Sequence, residues 1–100
     1  MSKIEIYDPP LCCPTGICGP SVDPVLVRFA ADLEWLKENG VEIARYNLAQ
    51  QPDKFAACEL VRQAMTLAGK LCLPIVVVEG RIVSQNKYPE RDELANFVGI

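Results

Sequence analysis

Charged and apolar residues alternate from Lys3 to Tyr7, with Ile4 and Ile6 on one side, which predicts a strand over residues 3–8. Pro9 and Pro10 cannot extend a strand ladder and end it. The next pattern has helical spacing: Leu26, Phe29, Ala30, Leu33 and Leu36 form one stripe. Asp23 is placed to cap the free amides at its start, and Pro24 suits the first helical position. Val22 and Val27 are spaced for a hydrophobic staple across that start. Lys37 suits the far end, and Asn39-Gly40 stops the helix. Trp35 lies off the main stripe and is expected to be partly packed against a neighbour.

Alternation returns over residues 41–46, with Val41, Ile43 and Arg45 on one face and Glu42, Ala44 and Tyr46 on the other, so a second strand is expected. The pattern does not say which face meets the core, because an interior parallel strand is covered on both. Residues 47–51 read as a connection. One continuous helix over 52–68 would place Phe55, Cys58, Val61, Met65 and Ala68 on a single stripe, with Gly69 as its cap. Cys58 then has a sufficient explanation in core packing. The β-branched run at 75–79 predicts a third strand, Glu79-Gly80 a tight hairpin turn, and residues 81–85 a fourth strand. A short helix over 89–97 closes the pattern, with Leu94 and Phe97 inward and Gly99 near its stop.

The order is therefore β-α-β-α-β-β-α. The two crossovers favour parallel pairing and the final hairpin is antiparallel; a mixed four-stranded sheet with helices on its faces accommodates both. This is an α/β, thioredoxin-like arrangement, expected as one domain over residues 1–100. Leu73-Pro74, just ahead of the third strand, sits where that fold often carries a cis proline, an expectation that rests on the fold analogy.

Residues 9–22 fit neither period. They hold three of the five cysteines, four of the eight prolines and two of the six glycines, a composition that resists helix and strand alike. A bent loop carrying Cys12, Cys13 and Cys18 is predicted. Buried thiols behave as small hydrophobes and need apolar company; here that company is Leu11 and Ile17, so a soft-ion or redox site explains the loop better than packing does.

Composition narrows the chemistry. Half of the residues are apolar and 23% are charged, enough for a core and against disorder. A net charge of −3 argues against a free-standing nucleic-acid binder, though it leaves room for a local basic patch. The absence of histidine removes histidine acid–base catalysis, Cys-His nucleophiles and all Cys/His zinc patterns. No cleavable apolar leader and no run of eighteen apolar residues is present, so a cytoplasmic protein without direct membrane insertion is expected. Its cysteines should be mostly reduced there, and their odd number leaves one thiol unpaired in any intramolecular scheme.

Cys12 and Cys13 are adjacent, and Cys18 returns after four residues; the prolines with Gly16 and Gly19 supply the bend that convergence requires. The loop runs toward the Asp23 helix start, where free amides favour negative charge and lower a thiol from its ordinary pKa near about 8.5, with Asp23 itself opposing. Three soft anionic donors without imidazole or carboxylate suit a thiophilic ion. Trivalent arsenic or antimony takes three sulfurs in a pyramid and needs no fourth ligand. Structural zinc normally wants four, and nothing in the sequence places Cys72 within reach as the fourth. Copper(I) and mercury(II) remain chemically open. The competing chemistry is that of a thiol-disulfide oxidoreductase, but the usual Cys-x-x-Cys is missing; Cys12-Cys13 would be a strained vicinal pair, whereas Cys12-Cys18 or Cys13-Cys18 could close.

Several segments together resemble the ArsD family: Asp8-Pro9, Cys12-Cys13-x-Thr15-Gly16-x-Cys18-Gly19, Val22-Asp23, Trp35-Leu36-Lys37, Asn47-Leu48-Ala49-Gln50-Gln51-Pro52, Leu73-Pro74 and Tyr88-Pro89-x-Arg91-x-Glu93-Leu94-Ala95. The likeness spans essentially the whole chain. That family is described as the arsenical-resistance metallochaperone and weak trans-acting repressor. The resemblance implies a thioredoxin-like fold without a thioredoxin active site. It implies that Cys12, Cys13 and Cys18 bind trivalent arsenic or antimony as cargo, received from small thiols such as glutathione. Its partner would be the ArsA ATPase, the catalytic subunit of an efflux pump. ATP hydrolysis would belong to that partner, since this chain has no Gly-Lys-Ser/Thr phosphate loop and is not expected to be an enzyme. The resemblance also implies operator DNA bound as a homodimer and released when metalloid binds.

The family's additional vicinal cysteine pairs near the C-terminus do not occur in this sequence, and Cys58 and Cys72 do not match its essential trio. No helix-turn-helix, arginine-rich arm or zinc module supports DNA binding independently. For docking, Arg28, Lys37 and Lys87 are the cations expected to flank the loop and orient encounter.

Overall fold

A computed structural model describes residues 3–10 and 23–100, Lys70 by its backbone alone. Residues 11–22, with the three loop cysteines and the Val22 on which the expected staple depends, therefore lie outside the described residues. Strands β1 (Lys3–Asp8), β2 (Glu42–Asn47), β3 (Ile75–Val78) and β4 (Arg81–Gln85) form one mixed sheet in the order β2-β1-β3-β4. The period-two pattern of the inner strands splits the core in two. Ile4, Ile6, Val76 and Val78 face Phe29, Leu33 and Leu36 of helix α1 (Pro24–Glu38) and Leu94 and Val98 of helix α4 (Arg91–Val98). Tyr7, Ile75 and Val77 face Phe55 of α2 (Pro52–Ala57), Val61 of α3 (Glu59–Ala68) and Cys72, the last residue of a 3-10 turn over Gly69–Cys72. Helices thus cover both faces, which is why β3 is buried throughout and can be β-branched at all four positions. Fully burying a side chain such as Phe29 contributes about 1.5–3 kcal/mol.

Helix α1 starts as its sequence dictates: Asp23 accepts a hydrogen bond from the Val25 N–H at 2.9 Å. Trp35 is half-buried, packed on the first core and under the Arg91 guanidinium, 5.0 Å from the ring centroid. The β2 question resolves through its place at the sheet edge: Ile43 packs toward the α1 cluster and Tyr46 toward the α2–α3 cluster. Leu73-Pro74 is cis. Glu79 and Gly80 both adopt positive φ, 51° and 78°, as a two-residue hairpin needs. Between Val76 and Val77 the β3–β4 register shifts, leaving Val83 without a partner opposite.

Three expectations need correction. The continuous helix over 52–68 is broken at Cys58, whose backbone is extended (φ −94°, ψ 111°). Phe55 and Val61 are six residues apart, about 120° apart around an unbroken helix and so at the two margins of a core-facing stripe; with the break, both are buried in the second core. Ala68, expected inward, is exposed. Secondly, only the first crossover is parallel. β3 runs antiparallel to β1, with Tyr7 opposite Ile75, because the chain leaves the 3-10 turn at the carboxyl end of β1 and enters β3 from there. Thirdly, the last helix begins at Arg91 rather than 89 and extends to Val98, which is buried, while Phe97 is only half-buried.

Candidate functional site

The cysteine loop leaves the sheet after β1, and the last residue of that strand is a fully buried carboxylate. Asp8 accepts from Arg45 Nε at 2.6 Å and Arg45 Nη2 at 3.2 Å, and from the Tyr88 hydroxyl at 2.8 Å. A buried charge is tolerated when it is paired and hydrogen-bonded. Arg45 reaches Asp8 because β1 and β2 are parallel and in register, Asp8 beside Asn47, so Arg45 lies one pleat back on the same face. Its guanidinium also sits 5.2 Å from the centroid of the Phe29 ring on α1.

Tyr88 comes from the connection between β4 and α4. Its ring packs at 4.8 Å on Phe29, and its backbone carbonyl accepts from Arg28 Nη2 at 3.0 Å, which also donates to the Pro89 carbonyl at 3.2 Å. Burial, then the Asp8 charge beside it, push the Tyr88 hydroxyl pKa well above the ordinary phenol range, so it remains a donor. Arg28 further pairs with Asp32 at 3.6 Å and Glu90 at 3.7 Å, and Arg91 donates to Asp32 at 2.9 Å. One polar cluster thus joins the end of β1, the first turns of α1, the middle of β2 and the lead into α4.

Further contacts fasten the same end of the sheet. Pro74, in its cis bond, precedes Ile75, whose partner Tyr7 is one residue before Asp8. The Leu48 N–H donates to the Asp8 carbonyl at 3.2 Å, and Asn47 fastens the 47–51 turn through its bonds with Gln50 and Gln51.

Of the predicted site residues, Cys12, Cys13 and Cys18 lie outside the described residues. The two remaining cysteines are free thiols. Cys72 is buried and donates to the Gly69 carbonyl at 3.0 Å; burial pushes its thiol pKa up. Cys58 is half-buried against the second core, beside Tyr7, whose hydroxyl is pushed far up by burial, then by Cys58 and Glu5. Among the described residues, no group of three His, Cys, Asp or Glu side chains is placed to hold a metal ion. No helix among them is long and apolar enough to cross a membrane.

The expected docking cations divide. Arg28 is turned inward onto Tyr88, Pro89 and Asp32, and Lys87 is bonded to Glu93 at 2.7 Å, so neither flanks the loop as a free charge. Lys37 is exposed on α1, beside a groove of about 440 Å³ whose floor includes Leu33, Val41 and Ile43. Sequence reasoning missed the Asp8–Arg45–Tyr88 cluster as a unit. One signal was available: Arg45 continues the alternation of Val41 and Ile43, an arginine at an inward position that calls for a buried anion.

The chain is similar throughout to known proteins. A family model described as "Arsenical resistance operon protein ArsD" matches residues 1–100. Two Escherichia coli proteins, each named "Arsenical resistance operon trans-acting repressor ArsD", are 44% identical over 100 residues, all of this chain and 83% of theirs. A crystal structure of an arsenical resistance operon trans-acting repressor from Bacteroides vulgatus superposes with a TM-score of 0.90 at 37% identity, over 99% of this chain and 93% of that one. With the thioredoxin-like α/β fold established and the likeness running from end to end, this chain belongs to the ArsD family.

Proposed function

We propose that this chain binds trivalent arsenic or antimony through the Cys12, Cys13 and Cys18 thiolates and passes it to the ArsA ATPase of an efflux pump. The observation that carries the reading is three thiols within a seven-residue window of an ArsD-family chain. With arsenous acid, three As–O bonds are replaced by three As–S bonds; each thiol gives up its proton and three waters leave. Sulfur ligands then exchange one at a time, from glutathione on loading and to the partner's thiols on delivery. The donor set fits: soft thiolates without imidazole select a thiophilic centre. Cys72 is a poor fourth ligand, because its buried thiol is held protonated and already donates to Gly69. No catalytic step by this chain is required, and the fold serves as one domain presenting the loop at 9–22.

Native mass spectrometry of reduced protein with arsenite tests the reading. One arsenic per chain replacing three protons, and severe weakening in Cys18→Ala, is the expected result. A well-folded, reduced wild type that takes up no arsenic overturns it.

The names of the Escherichia coli relatives favour a second reading, repression of an arsenical resistance operon; in that reading the chain binds operator DNA, as a homodimer. A salt-dependent operator complex released by arsenite would support it. Unchanged DNA mobility at low salt would remove it.

A further inference from the structure

The chain on either side of the cysteine segment is held by one residue, Tyr88. At the first end Asp8, four residues before Cys12, is bonded by the Tyr88 hydroxyl at 2.8 Å. At the second end helix α1, which starts right after Asp23, is held twice by the same residue: Arg28 donates to the Tyr88 carbonyl at 3.0 Å, and Phe29 packs on the Tyr88 ring at 4.8 Å. Arg45 closes the triangle, bonded to Asp8 and lying over Phe29. Tyr88 reaches this point from a segment eighty residues along the chain from Asp8.

We propose that Tyr88 is a positioning residue that fixes the separation of the two stems of the cysteine loop and thereby tightens metalloid binding. This deepens the arsenite reading above and its affinity arm rests on it. The physical argument is preorganisation. Three thiolates on a loop of more than ten residues must be gathered onto one ion, and the ordering cost falls when the loop's ends are already fixed. Sites whose supporting contacts are loose lose affinity without losing any ligand. Tyr88 touches no reacting atom; it acts through Asp8 and α1.

Tyr88→Phe is the informative variant, since it keeps the ring on Phe29 and the carbonyl on Arg28 and removes only the bond to Asp8. Val61→Ala, in the core on the opposite face of the sheet, serves as a control that loses stability without touching the stems. Two readouts are taken at a temperature where all three proteins are folded: arsenite dissociation constant and rate, and hydrogen exchange at the Leu48 and Val27 amides, which bond the backbone of Asp8 and Asp23. In Tyr88→Phe, arsenite binding is expected to weaken about five- to tenfold, mainly through faster release, with both amides exchanging faster. Val61→Ala should match wild type in both. An unchanged dissociation constant in folded Tyr88→Phe overturns the proposal, as does equal weakening in the two variants. Faster exchange at both stems in a protein whose wild type binds no arsenite would instead sink the arsenite reading while upholding the tie between the stems.

Discussion

Asp8 and Arg45 meet across the parallel β1–β2 pair in a two-pronged ion pair, 2.6 Å from Nε to Oδ2 and 3.2 Å from Nη2 to Oδ1, with the carboxylate fully buried. Removing one partner leaves the other charge without compensation. Asp8→Asn is expected to destabilise the fold by about 3–5 kcal/mol, the range for breaking a buried pair on one side only. Urea unfolding measures this. Arg45→Met with Asp8→Leu should cost less than either single change, and a double-mutant cycle with purely additive losses would contradict the coupling.

The Glu79-Gly80 turn makes a second prediction. Gly80 has φ 78°, and a Cβ built there meets no atom within 4 Å, so the cost of a side chain is conformational alone. Gly80→Ala should destabilise by about 1–2 kcal/mol, the penalty for an L-residue in the left-handed region. Thermal unfolding with no loss would mean the hairpin adopts another turn.

Most of this architecture was legible because burial enforces period. The Ile4–Ile6 alternation, the Asp23-Pro24 start and the 75–78 run each describe a surface that must face a core, and each element formed where its pattern lay. The break at Cys58 was not legible. No proline or glycine marks it, and the burial of Phe55 and Val61 that accompanies it depends on the sheet they pack against. The antiparallel β1–β3 pair was hidden for the same reason, since strand direction depends on where the chain leaves the 3-10 turn. At the site, the cysteines were legible as chemistry, while the Asp8–Tyr88 contact spans a sequence separation that no local pattern reaches.

Thiol reactivity separates the two described cysteines. Cys72 is buried, bonded to the Gly69 carbonyl, and its pKa is pushed up by burial, so little thiolate is present at neutral pH. In a variant retaining only Cys58 and Cys72, a thiol reagent should label Cys58 well before Cys72, and Cys72 at the rate of global or local opening. Equal rates in the folded state would show that the 3-10 turn opens freely.

Glu93 at the start of α4 accepts from Lys87 Nζ at 2.7 Å and from the Glu90 N–H at 3.3 Å. The Lys87 hydrogen bond, followed by that backbone bond, holds its carboxyl below the ordinary value. A depressed carboxylate contributes stability that is fully present above its unfolded pKa, about 4.3, and is lost as pH falls through the lower folded value. Stability should therefore decline on acidification below pH ~4.3 partly through this group. The residue is exposed, so the contribution is small, and salt should reduce it further. Following the Glu93 carboxyl by NMR in wild type and Lys87→Ala tests the cause directly. The titration midpoint should move up in the variant, toward the ordinary glutamate range, and stop short of it because the Glu90 N–H bond remains. A midpoint indifferent to Lys87 would assign the depression to the helix start alone.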